Sequence, residues 1–139
     1  MKKVFFDTWG WVALAHKDDD HHDEALSFYR SFLLKEGLPV TTDYVLAETV
    51  TLLRAKTHGI DAFMDTILAA GEEGRVRIER INEARWGKAW LLCKKYQDKP
   101  SISFVDFTSF VVMKELNVSH VLTADKHFED AGSGFRKLF

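Results

Sequence analysis

Four acidic side chains occupy positions at which a carboxylate is conspicuous: Asp7 in VFFDTW, Glu48 in DYVLAETV, Asp106 in SFVDFTSF and Asp125 in VLTADKHF. Asp7 and Asp125 come at the ends of apolar runs, whereas Glu48 and Asp106 lie beside apolar residues in helical patterns. A carboxylate in apolar surroundings is costly to bury unless it is paired or binds a cation. The four positions are therefore candidates for one shared polar site.

Carboxylates that meet in one site favour a particular chemistry. Like charges at close range raise some of the pKa values, and divalent cations relieve the repulsion. Oxygen ligands without a Cys or His cluster favour Mg²⁺ or Mn²⁺ over zinc. Two such ions about 4 Å apart stabilise the attacking and the leaving oxygen of an in-line phosphoryl displacement. If the four acids meet, they are predicted to be metal ligands, with one of them orienting the water.

Each acid also has a purely structural interpretation. Asp7 and Asp125 are suitable helix N-caps, and Ser103-x-x-Asp106 is the pattern of a capping box. Glu48 can lie in water at the edge of its apolar stripe. For any one acid alone the structural interpretation is favoured, but it does not explain why each adjoins a strand end or an apolar helix start.

Short strands separated by helical patterns are predicted to position these acids. Strands are expected at residues 3–6, 39–42, 75–79 and 119–123, with a weaker fifth in RKLF, residues 136–139. Strands alternating with helices predict βαβ crossovers and a parallel sheet covered on both faces. Ligands bind beyond the carboxyl ends of such strands, so Asp7 and Asp125 are expected to face one crevice.

The composition excludes several classes of protein. A chain of 139 residues with 46% apolar and 29% charged residues suits one globular domain. The net charge of −2 gives no overall basic field, so nucleic-acid binding would depend on a local patch or on bound cations. One cysteine, Cys93, excludes an internal disulfide and favours a cytoplasmic protein. No apolar run reaches the ~20 residues of a membrane span, and Asp7 interrupts the N-terminal run that otherwise resembles an export signal.

The order of the motifs resembles the PIN domain family, and most closely the VapC-type toxins of bacterial and archaeal toxin–antitoxin pairs. The resemblance extends from residue 4 to about residue 135, and its most specific part is S-x-x-D followed by T-x-D-x-x-F. It implies a single nuclease domain over residues 1–139. The implied fold is a three-layer α/β/α sandwich with a central, mainly parallel sheet of four to five short strands. The implied activity is Mg²⁺- or Mn²⁺-dependent endoribonuclease cleavage of RNA.

The resemblance also implies the roles of individual residues. The acidic, metal-binding site would consist of Asp7, Glu48, Asp106 and Asp125, and the family's metal is most often assigned to the positions of Asp7 and Asp106. Thr8, Ser103 and Thr123 match polar positions of the family. Side chains at these positions orient the carboxylates or bind metal-held water. Relatives commonly form homodimers and are blocked by a small antitoxin protein that lays a helix and an extended tail over the site.

Several positions depart from the family or need local explanations. Trp9 stands where Ser or Asn is more usual. Candidate RNA-contacting residues near the acids are Lys126, His127 and Arg54, with Lys56 beside them, although solvated surface is the favoured interpretation of Arg54 and Lys56. Trp9 and Trp11 could stack on bases, but burial in the core or a dimer contact is favoured for them.

Alternative functions stay open on the sequence alone. One is a non-catalytic PIN-like module that binds RNA or protein, and another is a housekeeping RNA-processing nuclease of the same fold. An aspartyl phosphatase is disfavoured because it needs a second Asp at the position of Trp9. A zinc site in KDDDHHDE is disfavoured because His21 and His22 are adjacent and cannot share a helix face. That segment is predicted to be a loop that leads into a helix N-terminus, where Asp23 and Glu24 are favourable.

Overall fold

The structure, a computed structural model, describes residues 2–130 and 134–138. The strands are Lys3–Phe6 (β1), Leu38–Thr42 (β2), Arg77–Glu79 (β3), His120–Leu122 (β4) and Arg136–Lys137 (β5). The helices are Thr8–Ala15 (α1), His22–Leu34 (α2), Asp43–Lys56 (α3), Ile60–Glu72 (α4), Glu83–Lys95 (α5), Phe104–Glu115 (α6) and His127–Asp130 (α7). All five predicted strands are present. Phe139, the last residue of the predicted fifth strand, lies outside the described residues.

The sheet has the strand order β3-β2-β1-β4-β5, and each of the described pairings is parallel. The predicted parallel sheet is therefore confirmed. The chain moves outward from β1 to β2 and β3, and then returns to the opposite side of β1 to form β4. The direction of the connections thus reverses between β1 and β4. Such a reversal opens a crevice at the carboxyl ends of the two strands.

The central strand β1 is buried on both faces of the sheet. Phe5 and Phe6 are fully buried, and successive strand residues point to opposite faces. The Phe5 ring packs near Phe128 after β4, whereas the Phe6 ring packs against Trp11 of α1 and Phe32 of α2. Helices therefore cover both faces, which confirms the predicted sandwich.

Gly10 allows α1 to pack closely onto the sheet. A Cβ atom at this position would lie 2.7 Å from the backbone oxygen of Leu122 in β4. Only a residue without a side chain fits such an approach. Gly10 thus allows the start of α1 to lie against the end of β4. The residues that follow β1 and the residues that follow β4 are therefore close together.

Trp11 belongs to the core. Its side chain is fully buried, and its Nε1 donates a 3.1 Å hydrogen bond to Thr41 Oγ1. The Thr41 hydroxyl in turn donates to the Phe6 carbonyl oxygen at 3.0 Å. The core position favoured for Trp11 is confirmed, and this ring does not stack on bases.

The segment KDDDHHDE is the predicted loop and helix start. Helix α2 begins at His22 and carries Asp23 and Glu24 in its first turn. Carboxylates there interact favourably with the positive end of the helix dipole. Among the helices of the described ranges, none combines the length and the apolar character that a membrane crossing requires.

Candidate active site

Asp7 is held at the carboxyl end of β1 with its side chain directed into the protein. It is 5% exposed, and its Oδ2 accepts a 3.0 Å hydrogen bond from Thr123 Oγ1. The backbone N–H of Thr8 also donates to this carboxylate. Asp7 stands at the N-cap position of α1, yet its side chain makes no capping hydrogen bond. Asp7 is therefore the N-cap residue by position, as its structural interpretation predicted, while its carboxylate is directed to Thr123 and does not cap the helix.

Asp106 is both a helix cap and a member of the acidic group. Ser103 and Asp106 form the predicted capping box at the start of α6, with Ser103 Oγ accepting from the Asp106 backbone at 3.0 Å. Asp106 Oδ2 accepts from the Ser103 backbone N–H at 3.2 Å and contacts His127 Nδ1 at 3.2 Å. The capping box thus fixes the direction of the buried carboxylate.

Thr123 joins the segments that follow β1 and β4. Its side chain is fully buried, and its hydroxyl donates to Asp7 while accepting a 3.0 Å hydrogen bond from the Asp125 backbone N–H. Asp125 Oδ1 accepts from the backbone N–H of His127 at 2.9 Å, an arrangement typical of an Asx turn. Asp125 therefore organises the turn before α7, but it lies one residue ahead of the predicted N-cap position, because α7 begins at His127.

Glu48 reaches the same region from α3. That helix begins directly at the end of β2, where Thr42 Oγ1 accepts a 3.0 Å hydrogen bond from the Val45 backbone N–H. Glu48 is half-buried and makes no hydrogen bond or ion pair with any residue that the structure describes. Its carboxylate is therefore available to a ligand.

The four predicted acids line one cavity. Its volume is about 510 Å³, and Thr8 and Ser103 contribute to its wall beside Asp7, Glu48, Asp106 and Asp125. The acids come from four separate segments of the chain, after β1, in α3, in α6 and after β4. The structure thus places all four predicted acids on the wall of one cavity.

The electrostatics of the site reflect an excess of negative charge. Burial raises the pKa of Asp7 from 3.8 to about 7, and the charges of Asp106 and Asp125 add to the shift, while hydrogen bonds from Thr8 and Thr123 oppose it. Burial also raises the pKa of Asp106, and Asp125 adds to that rise, against hydrogen bonds from Ser103 and His127. Hydrogen bonds from the protein therefore do not fully offset the effects that destabilise the ionised forms of Asp7 and Asp106.

The remaining predicted residues are placed differently from one another. Lys56 lines the cavity, whereas Arg54 and Lys126 are exposed and are not part of the described lining. Trp9 forms part of the wall, with its ring centroid 5.1 Å from that of His21. Trp9 is thus neither in the core nor remote from the acids.

Two further residues, His127 and Asp19, line the cavity beside the four predicted acids. His127, predicted only as an RNA contact, places Nδ1 3.0 Å from Asp125 Oδ1 and 3.2 Å from Asp106 Oδ2. Its position two residues after Asp125 was the available sequence signal. Asp19 also lines the cavity, although the segment that contains it was predicted only to be a loop leading into a helix. Its approach depends on the path of the loop between α1 and α2, which no sequence pattern specifies.

The donor set fits a divalent cation. Ligand atoms of Asp106, Asp125 and His127 all lie within 4.8 Å of one another, and Asp7 lies on the same cavity wall. The Thr8 hydroxyl is buried on that wall without a hydrogen-bond partner among the described residues. Buried polar atoms are normally satisfied, so this hydroxyl is suited to a ligand or a metal-held water. Carboxylate oxygens are the preferred ligands of hard divalent ions.

Comparison with known proteins gives consistent matches. The model of the PIN domain family matches residues 4–133. The chain is 30% identical over 129 residues to the 23S rRNA-specific endonuclease VapC20 of two Mycobacterium tuberculosis strains, covering 93% of this chain and 94% of the relative. The crystal structure of M. tuberculosis VapC20, described as a sarcin-ricin loop cleaving toxin, matches with a TM-score of 0.80 and 29% identity, covering 93% of this chain and 95% of that one.

Proposed function

Because the chain belongs to the PIN domain family, we propose that it is an endoribonuclease that hydrolyses RNA phosphodiester bonds with a divalent cation, and that it is the toxin of a type II toxin–antitoxin pair. The observation that carries the proposal is that four acidic residues from four chain segments line one cavity. The activity of the relative, an endonuclease specific for 23S rRNA, supports RNA as the substrate class.

The carboxylates are assigned the role of metal ligands. Asp7 and Asp106, the two most buried acids of the cavity, would hold the cation, and Glu48 and Asp125 would complete the set. When bound, a divalent cation there polarises the scissile phosphate and lowers the pKa of a bound water. The hydrogen bond from Thr123 fixes Asp7, and the capping box fixes Asp106. These fixed orientations reduce the reorganisation that ligand binding requires.

Mg²⁺ and Mn²⁺ are the proposed cations. A site of several carboxylates supplies hard oxygen ligands, which both ions accept, whereas structural zinc sites rely mainly on Cys and His. Besides burial, the negative charges of neighbouring carboxylates raise the pKa values of Asp7 and Asp106, and that part of the shift supports the binding of a cation. A bound cation would also attract the phosphate backbone of RNA to a protein whose net charge is −2.

Two kinds of protein partner are part of the proposal. A small antitoxin would cover the cavity and exclude RNA, and a second copy of the chain would form a homodimer. The antitoxin is supported by the match to a protein described as a toxin. The homodimer is supported by family resemblance alone, and sedimentation of the purified chain tests it directly.

Expression in a bacterium tests the toxin assignment. Wild type is compared with Asp106→Asn and with Asp98→Asn, a matched control at an exposed acid outside the cavity. We expect wild type and Asp98→Asn to arrest growth and Asp106→Asn to permit it at equal protein level. Arrest by Asp106→Asn equal to that by wild type would overturn the proposed site. Unimpaired growth with abundant wild type would overturn the toxin assignment.

A further inference from the structure

His127 is held against two of the acids by its neighbours in the chain. Its backbone N–H donates to Asp125 Oδ1 at 2.9 Å, and the next residue, Phe128, is fully buried. The Phe128 ring packs edge-on against Phe110 with the centroids 5.1 Å apart. These two anchors fix the backbone of His127 beside the acids, so that its imidazole can reach both of them.

One atom of this ring contacts both carboxylates. His127 Nδ1 lies 3.0 Å from Asp125 Oδ1 and 3.2 Å from Asp106 Oδ2. A ring nitrogen carries at most one hydrogen, so it donates one strong hydrogen bond and cannot fully satisfy two acceptors. Separations of about 3 Å are also those between adjacent ligands of an ion with bonds of about 2.1 Å. The geometry therefore suits a cation shared by the three groups.

We propose that His127 Nδ1 is a direct ligand of the divalent cation and that it gives the site a preference for Mn²⁺ over Mg²⁺. This inference rests on the proposed metal-dependent function and specifies its ligand set. Imidazole nitrogen suits transition-metal ions, whereas Mg²⁺ strongly prefers oxygen ligands and water. Mn²⁺ accepts the carboxylates as Mg²⁺ does and also accepts nitrogen. The sequence predicted Mg²⁺ or Mn²⁺ without deciding between them, because it indicated no His in the cluster.

Electron spin echo spectroscopy of bound Mn²⁺ tests the proposal directly. A ¹⁴N nucleus bound to Mn²⁺ gives a characteristic modulation that oxygen ligands do not give. We expect this modulation in wild type and in His58→Ala, whose ring is exposed in the loop between α3 and α4, and its absence in His127→Ala. Loss of a ligand should weaken Mn²⁺ binding by about tenfold or more and affect Mg²⁺ binding less.

The possible outcomes separate this proposal from the function on which it rests. Bound Mn²⁺ and RNA cleavage without ¹⁴N modulation in wild type would overturn the role of His127 and leave the nuclease intact. Absence of both Mn²⁺ binding and cleavage would overturn both. If His127→Ala does not fold, the wild-type spectrum still decides, because His127 is the one histidine in the described lining of the cavity. Labelling the histidines with ¹⁵N then identifies the signal as imidazole.

Discussion

The hydroxyl of Thr123 donates a 3.0 Å hydrogen bond to Asp7 Oδ2, across 116 residues of sequence. The contact exists because β1 and β4 are adjacent parallel strands, so the residues that follow them meet at one edge of the sheet. Thr123 also accepts the backbone N–H of Asp125. One buried hydroxyl thus sets the relative positions of two proposed metal ligands.

Thr123→Val should therefore weaken metal binding without a large change in shape. It keeps the branched side chain but leaves the Asp125 N–H unpaired and removes the Thr123 donor from Asp7, which keeps only the Thr8 backbone N–H; this should cost about 1–3 kcal/mol in the free energy of unfolding. The affinity for Mn²⁺ should fall by about 10- to 100-fold, as measured by calorimetric titration. Thr66→Val, which removes an exposed hydroxyl bonded to its own helix, is the control. Equal Mn²⁺ affinities in Thr123→Val and wild type would show that the hydroxyl does not position the ligands.

The pKa of Asp7 predicts how the stability of the metal-free protein depends on pH. Since burial and the neighbouring acids raise this pKa from 3.8 to about 7, the folded state keeps a proton that the unfolded state has lost. The free energy of unfolding should therefore fall as pH rises through that interval and level off above it. Asp7→Asn should remove most of this decline, leaving the part due to Asp106, whose pKa burial also raises, and should stabilise the metal-free protein at pH 8 by about 1–4 kcal/mol.

Chemical denaturation in EDTA across this pH range measures the effect. Asp61→Asn, at an exposed acid in the first turn of α4, is the control and should leave the decline unchanged. If the free energy of unfolding of Asp7→Asn falls with pH as much as that of wild type, groups other than Asp7 cause the pH dependence.

Added Mn²⁺ should stabilise the folded protein, because the ion binds carboxylates that only the folded chain brings together. At about 100 times its dissociation constant the ion should raise the free energy of unfolding by about 2.7 kcal/mol. Asp106→Asn should lose most of this gain, and thermal unfolding with and without EDTA measures it. A melting temperature of the wild-type protein that does not change when Mn²⁺ is added would contradict a metal site in the cavity.

Gly10→Ala should destabilise the protein and the site together. The new methyl group would lie 2.7 Å from the Leu122 carbonyl oxygen, so α1 must move away from β4. We expect a cost of about 1–3 kcal/mol and weaker Mn²⁺ binding, because the start of α1 carries Thr8 beside Asp7. Gly87→Ala is the matched control, since nothing lies within 4 Å of a Cβ there and Ala favours a helix interior. A Gly10→Ala protein as stable as wild type would show that α1 does not depend on this approach.

The sequence predicted most of the fold because its apolar patterns are local and strong. The run Val4 to Phe6 is followed at once by Asp7, and the capping box at Ser103 and Asp106 is as predicted. The start of the third strand was predicted two residues early, at Arg75. The backbone N–H groups of Arg75 and Val76 bond to the Ala70 carbonyl oxygen and close the end of α4, so pairing begins at Arg77.

The site was less predictable than the fold because it depends on how separate segments approach one another. Glu48 reaches the cavity only through the course of α3, and Asp19 only through a loop. His127 follows Asp125 so closely that its proximity to that acid was foreseeable, but its contact with Asp106 depends on how α6 packs beside the segment after β4. Such orientations are set by tertiary packing, which periodicity does not encode.

Cleavage of purified RNA by the purified chain tests the central claim most directly. Wild type, Asp106→Asn and Asp98→Asn are incubated with ribosomal RNA in Mn²⁺, in Mg²⁺ and in EDTA, after thermal unfolding has shown that all three are folded. The account predicts metal-dependent cleavage by wild type and Asp98→Asn, and a rate at least about a hundredfold lower for Asp106→Asn, since a lost ligand removes several kcal/mol of transition-state stabilisation. Cleavage by folded Asp106→Asn at the wild-type rate, or cleavage that persists in EDTA, would contradict it.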